Sequence, residues 1–300
     1  RKTIFAAFSK YMFSPFQKFT IDLGVRYSYN QFNRQHYWAP RGSIRYRLTP
    51  KTRISLAAGM YYQTPAFDIL IANPANAQLR HERASHYILS FTRYMQEDLK
   101  FTAETYDKQF NDLIVRNDRT NLIRTNAGDG HAGGLDLSLI KRFVGKFYGQ
   151  TNYSYAYSLR NNRDGHGSYN ADFNQPHIFS ISSGYEFNKT WRIAAKWRYA
   201  TGRPTDSFVV HSDIFNDPSY DRYSKEIIRN NGRRLPDFHT FNIRIDSRRQ
   251  IGRIALVGFF DIVNMYNHLN VNEDRFQEIN GQEDARGFRI LPTGGMRIEF

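Results

Sequence analysis

Residues 18–31 read Lys-Phe-Thr-Ile-Asp-Leu-Gly-Val-Arg-Tyr-Ser-Tyr-Asn-Gln. Successive side chains of a strand point to opposite faces, so Phe19, Ile21, Leu23, Val25, Tyr27 and Tyr29 share one side. Thr20, Asp22, Gly24, Arg26, Ser28 and Asn30 share the other. The alternation returns over 190–201, where Trp191, Ile193, Ala195, Trp197 and Tyr199 oppose Arg192, Ala194, Lys196 and Arg198, and again over 241–246. Less regular versions occupy about 40–48, 52–62, 85–94, 99–110, 132–143, 146–158, 176–187 and 253–264. Strands near 3–12 and 287–300 bring the count to thirteen. A soluble sandwich would also hide one apolar face, but its strands are usually about five or six residues long. Most of these reach the roughly nine to eleven that a tilted membrane strand needs.

The connections strengthen the membrane reading, because short and long ones alternate. Tight turns are expected at 14–17, 49–51, 95–98, 144–145, 188–189 and 248–252, and long segments at about 33–39, 63–84, 111–131, 159–175, 202–237 and 265–286. Outer-membrane barrels have short periplasmic turns and long extracellular loops, whereas a sandwich has no reason to keep that parity. Phe13, Phe16, Phe19, Phe143, Phe147, Phe187 and Trp191 flank the short turns, and Tyr27, Tyr29, Tyr61, Tyr62, Tyr155, Tyr157, Trp197 and Tyr199 lie toward the long loops. Two interfacial aromatic girdles are implied. The fold class read here is all-β: a transmembrane antiparallel β-barrel segment, with 1–300 forming a single barrel domain.

Composition agrees. A mean hydropathy of -0.64 and a longest apolar stretch of only Ile254 to Phe260 exclude a spanning helix, which needs about 18 apolar residues. Neither excludes strands that alternate between lipid and water. Aromatics make up 16% of the chain, as strands and membrane interfaces favour. The absence of cysteine removes disulfides, thiolate metal sites and cysteine nucleophiles. The net charge of +14 is spread along the chain instead of gathered in one tract, which argues against a nucleic-acid partner. With no initiator Met and no leader, the start of the protein is expected to have been removed.

The carboxyl end carries the most specific short signal. Thr293-x-Gly295-x-x-Ile298-x-Phe300 resembles the terminal signal by which bacterial barrel-assembly machinery recognises its clients. Further pieces are Ala39-Pro-Arg-Gly-Ser-Ile-Arg-Tyr-Arg-Leu-Thr-Pro50, Gly59-Met-Tyr-Tyr-Gln-Thr-Pro65, Asn73-Pro74 and Leu79-Arg-His-Glu-Arg-Ala-Ser85. Tyr106 to Ile114, Asn126 to Asp136, Gly202-Arg-Pro204, Leu235-Pro-Asp-Phe-His239 and Asp261-Ile-Val-Asn-Met-Tyr-Asn267 continue the series. In their order and spacing they resemble the carboxyl-terminal part of a TonB-dependent outer-membrane receptor. That resemblance implies a 22-stranded barrel around an amino-terminal plug, with a TonB-contacting segment before it. The plug domain is then absent from this chain, and roughly nine barrel strands with it. Even strand counts with both ends inside would put Arg1 at the extracellular rim.

The resemblance further implies energised import of a scarce ligand across the bacterial outer membrane, coupled through TonB, by a monomeric barrel that needs no cofactor. The favoured ligand is a ferric siderophore, an anionic metal chelate; a passive porin, or a receptor for haem, cobalamin or carbohydrate, is the alternative. Candidate ligand-binding residues are Tyr62, Gln63, Arg80, His81, Arg203, Arg233 and Arg234. Guanidinium groups hydrogen-bond carboxylates and phosphates in paired geometry. The loop arginines, with Tyr37 and Trp38, could instead meet lipopolysaccharide phosphates. His81 stands where similar receptors commonly have Pro and could act as an axial haem ligand; the favoured reading is a solvated loop histidine. Arg26, Arg45, Arg47, Arg53, Arg192, Arg198, Arg244 and Arg297 fall on the inward face, where pairing with acids of neighbouring strands or of the plug is favoured over ligand attraction. No HExxH or Gly-x-Ser-x-Gly occurs, and pairs such as Asp172 with His177 are what chance supplies, so no enzyme is expected.

Overall fold

The computed structural model describes residues 3–116, 122–213, 222–277 and 282–300. Its strands in chain order are β1 (Ile4–Phe16), β2 (Phe19–Asn30), β3 (Gln35–Thr49), β4 (Thr52–Gln63), β5 (Glu82–Tyr94), β6 (Leu99–Val115), β7 (Thr125–Val144), β8 (Phe147–Asn161) and β9 (Ser168–Asn170). They continue as β10 (His177–Glu186), β11 (Trp191–Ala200), β12 (Pro204–Asp213), β13 (Arg222–Arg234), β14 (Phe238–Ile251), β15 (Ile254–Val263), β16 (Asn270–Phe276), β17 (Glu283–Phe288) and β18 (Leu291–Glu299). One sheet runs β1-β2-β3-β4-β5-β6-β7-β8-β10-β11-β14-β15-β18, thirteen strands as the periodicity predicts, with the short β9 added beside β8. β12 pairs with β13 and β16 with β17 as separate hairpins inside the long connections. No helix among the described residues is long and apolar enough to cross a membrane.

The chain divides into two compact units. The first comprises Arg1–Met95, Thr102–Asp136 and Ala156–Ala171. Here Ile21, Ile44, Leu56 and Leu89 stand opposite one another in a row across β2 to β5. Asp22, Ser43, Ala57 and Ile88 form the neighbouring row on the other face. Leu23 is 52% exposed whereas its neighbour Asp22 is 9% exposed, the reverse of a water-soluble sheet. Asp22 is paired on its own face: Lys10 Nζ forms an ion pair with Oδ1 at 3.3 Å, and Arg45 Nη2 and Ser43 Oγ donate to Oδ2 at 3.1 and 3.2 Å. An apolar face outward and a hydrogen-bonded polar face inward is what a strand needs to sit between lipid and water. The girdle residues pack as ring pairs, Phe19 with Tyr46 at 4.7 Å near the short turns and Tyr27 with Trp38 at 4.8 Å at the other end.

The second unit comprises Gln96–Phe101, Leu137–Tyr155 and Asp172–Phe300. It repeats the pattern: Tyr185, Ile193, Ile245 and Phe260 make an apolar row across β10, β11, β14 and β15, beside a polar row that includes Glu186, Arg192 and Asp246. Several inward arginines take acids of the same or the adjoining strands, as expected. Arg244 reaches Asp246 at 2.8 Å, Arg192 reaches Glu186 at 3.2 Å, and Arg297 pairs with Glu299, which also takes Arg248 at 2.7 Å.

Two expectations about connections need correction. Gln31–Arg34 is a tight turn, so the long segment expected at 33–39 does not exist; β3 begins at Gln35 and pairs with β2 from there. The segment 111–131 is largely strand, because β6 continues to Val115 and β7 starts at Thr125. At 17 and 20 residues these two exceed what the membrane requires. The described parts of the remaining long segments carry secondary structure of their own. Residues 63–84 hold the α-helix α1 (Phe67–Ala72) and a 3-10 helix (Pro74–Gln78). Residues 117–121, 214–221 and 278–281 of the expected loops, and the rim position expected for Arg1, lie outside the described residues.

Candidate functional site

β2 stays paired with β3 up to Asn30 and Gln35, and β4 stays paired with β5 up to Gln63 and Glu82. The ladder between β3 and β4 ends at Arg41 and Gly59. Beyond that level the two hairpins part. The segment Leu79-Arg80-His81 comes in against the parting: Asn33 Nδ2 and Gln35 Nε2 donate to the Leu79 carbonyl at 3.2 and 3.1 Å. A cavity of about 440 Å³ remains, lined by Arg34, Gln35, His36, Tyr37, Tyr62, Arg80, His81, Arg83 and Asp112.

The wall of this cavity is an aromatic ladder. The Tyr37 ring lies 4.7 Å from that of Tyr62 and 4.5 Å from that of His81, the latter edge to face. His81 is only 6% exposed, so the expectation of a solvated loop histidine is wrong; packing of 79–81 against Tyr37 takes it out of water. Three guanidinium groups reach the cavity. Arg80 donates to Asp112 Oδ1 at 2.6 Å. Arg83 has its Nε buried without a hydrogen-bond partner, a donor position that an acceptor would satisfy. Such a set of planar donors beside phenol and imidazole rings can hold a flat, multiply charged anion by paired hydrogen bonds and ring contact.

Of the predicted site residues, Tyr62, Arg80 and His81 come together in this cavity, and Gln63 follows at the end of β4 without lining it. Arg203, Arg233 and Arg234 belong to the second unit, gathered at the base of the β12–β13 hairpin by the register of Pro204 with Arg234 and Thr205 with Arg233. They do different work there. Arg233 Nη2 donates to Glu283 Oε1 and Oε2 at 2.5 and 2.6 Å, joining β13 to β17. Arg234 Nη1 donates to the carbonyls of Asn174 and Gly202 at 2.5 and 3.0 Å. Arg203 is exposed and lies over the Phe173 ring at 5.7 Å. Beside them Asp237 accepts the Tyr199 hydroxyl at 2.6 Å and the Gly202 amide at 2.9 Å. The Tyr199 hydroxyl is the main reason its carboxyl is held below the usual carboxylate range, with the Gly202 amide adding to it against the cost of burial.

Asp172 and His177 have other partners: Asp172 accepts from Asn231 at 2.8 Å, and His177 Nδ1 meets the Tyr153 hydroxyl at 2.9 Å. Sequence reasoning missed Arg34, Arg83 and Asp112. Arg83 and Asp112 lie inside the stretches Leu79–Ser85 and Tyr106–Ile114 without a role of their own there, and Arg34 lay in what reads as a loop; the cavity beyond the end of the β3–β4 ladder brings them together.

A strand-spanned sheet that in each unit exposes an apolar face and ion-pairs its polar one is that of an outer-membrane β-barrel portion. The family model described as TonB dependent receptor-like, beta-barrel, matches residues 1–255, and the chain belongs to that family. Its place is therefore the bacterial outer membrane. Among solved structures it is similar to the siderophore receptor PiuA from Acinetobacter baumannii, at 11% identity and a TM-score of 0.71, covering 99% of this chain and 44% of that one. It is also similar to the ferric-catecholate import receptor Fiu from E. coli K12, at 11% identity and a TM-score of 0.70, covering 99% and 45%. The FrpB iron transporter from Neisseria meningitidis matches at 14% identity and a TM-score of 0.67, covering 99% and 45%. The chain thus spans less than half the length of these structures. A search of curated proteins returns no significant match.

Proposed function

We propose that the complete protein imports a scarce ligand across the outer membrane, energised through TonB by the inner-membrane proton gradient, and performs no chemistry on the ligand. The observation that carries this reading is family membership over residues 1–255. The ligand favoured is a ferric siderophore, and the cavity of Arg34, Arg80 and Arg83 with Tyr37, Tyr62 and His81 supports it as a place to receive an anionic metal chelate. Residues 1–300 are read as one barrel domain, working as a monomer in a lipopolysaccharide-bearing membrane.

The test is accumulation of radiolabelled iron from a panel of ferric chelates by cells whose only such receptor is the complete protein, with and without TonB. The reading predicts uptake of at least one chelate that falls to background without TonB. Uptake persisting undiminished without TonB would overturn it and favour a passive porin.

A further inference from the structure

Asp112 is the one acid among the described residues lining the cavity. It is presented to Arg80 by the backbone. Asp112 holds φ at 57°, in the left-handed region that few residues other than glycine adopt, although Asp and Asn do so more readily than most. Asn126 fixes it there: its Nδ2 donates to the Asp112 carbonyl at 2.8 Å and to the Arg80 carbonyl at 3.1 Å, while its Oδ1 accepts the Arg80 amide at 2.7 Å. One side chain therefore clamps the two backbones whose own side chains form the 2.6 Å ion pair. Arg80 remains 66% exposed, and it engages Asp112 through one Nη2–Oδ1 contact.

We propose that Asp112 is an internal anion that occupies Arg80 until a ligand displaces it, and so sets the affinity threshold of the cavity. This rests on reading the cavity as the ligand site. An exposed, singly bonded ion pair contributes little, so it yields to an incoming group that takes the guanidinium through two parallel bonds. A singly charged or monodentate anion gains no more from Arg80 than Asp112 already does. Asp112 thus selects polydentate, multiply charged ligands.

The experiment is calorimetric titration of the complete receptor, in detergent micelles, with iron(III) tris(catecholate) as the polyanionic probe. Wild type is compared with Asp112→Asn, Arg80→Ala and the double variant. Asn keeps the left-handed backbone, and Asp112→Gly, for which that conformation is unstrained, serves as a second charge-free variant. Heat-modifiable migration on gels establishes that each is a folded barrel. Loss of the Asp112 charge should tighten binding about three- to tenfold in the presence of Arg80. It should change it less than about twofold when Arg80 is Ala. Unchanged or weaker binding by both Asp112 variants, or an equal gain without Arg80, would overturn the competition while leaving the cavity as the ligand site. Failure of every variant to bind the probe would overturn the ligand-site reading and this inference together.

Discussion

The side chain of Asn76, fully buried, accepts the Arg124 amide at 2.9 Å. Its Nδ2 donates in turn to the carbonyls of Ile69 and Leu122 at 2.8 and 2.9 Å. One amide group thus ties the folded connection between β4 and β5 to the approach to β7. Asn76→Ala would leave an amide and two carbonyls without partners, a cost of about 1–3 kcal/mol. Hydrogen exchange should show this as faster exchange confined to residues 66–81 and 122–126, with the membrane strands still protected. Uniform loss of protection would mean that Asn76 supports the whole unit.

The inverted exposure of Leu23 and Asp22 gives a direct test of the lipid-facing side. Leu23→Arg should cost about 2–4 kcal/mol if Leu23 faces the bilayer near its midplane. Ser43→Arg, on the opposite face in the row of Asp22, should stay within about 1 kcal/mol. Urea unfolding in lipid vesicles measures both; equal, small effects would put Leu23 in water.

Asp237 couples the base of the β12–β13 hairpin to pH. Its carboxyl titrates lower in the folded protein than in the unfolded chain, chiefly through the Tyr199 hydroxyl. The stability it contributes is therefore fully present above the unfolded value of about 3.9 and is lost as pH falls through the lower, folded value. Exchange of the Gly202 amide should accelerate over that acidic window beyond the intrinsic pH effect. In Asp237→Asn the extra acceleration should vanish; if it remains, another group controls the loop.

The thirteen sheet strands were legible because each separates lipid from water, and that asymmetry writes a period of two into residues such as Phe19 to Tyr29. β12, β13, β16 and β17 escape the same reading. In the long connections no lipid-facing side exists to enforce alternation, and stretches such as Phe208-Val209-Val210 break it. Of the residues that line the candidate cavity, Tyr62, Arg80 and His81 are singled out by the sequence. The roles of Arg233 and Arg234 as braces were not legible, because Glu283, Asn174 and Gly202 are remote in sequence. Burial of His81 likewise depends on Tyr37, more than forty residues away.

Capture of an anionic chelate by the cavity is the central claim, and its association kinetics test it most directly. The complete receptor with Arg34, Arg80 and Arg83 all changed to Ala would be mixed with iron(III) tris(catecholate) in stopped flow over a range of salt concentrations. Screening acts over about 8 Å at physiological ionic strength, so charges that steer the ligand must show in the salt slope. The account predicts slower association and a flatter salt dependence than wild type, with normal barrel insertion. Association at the wild-type rate with the wild-type salt slope would contradict it.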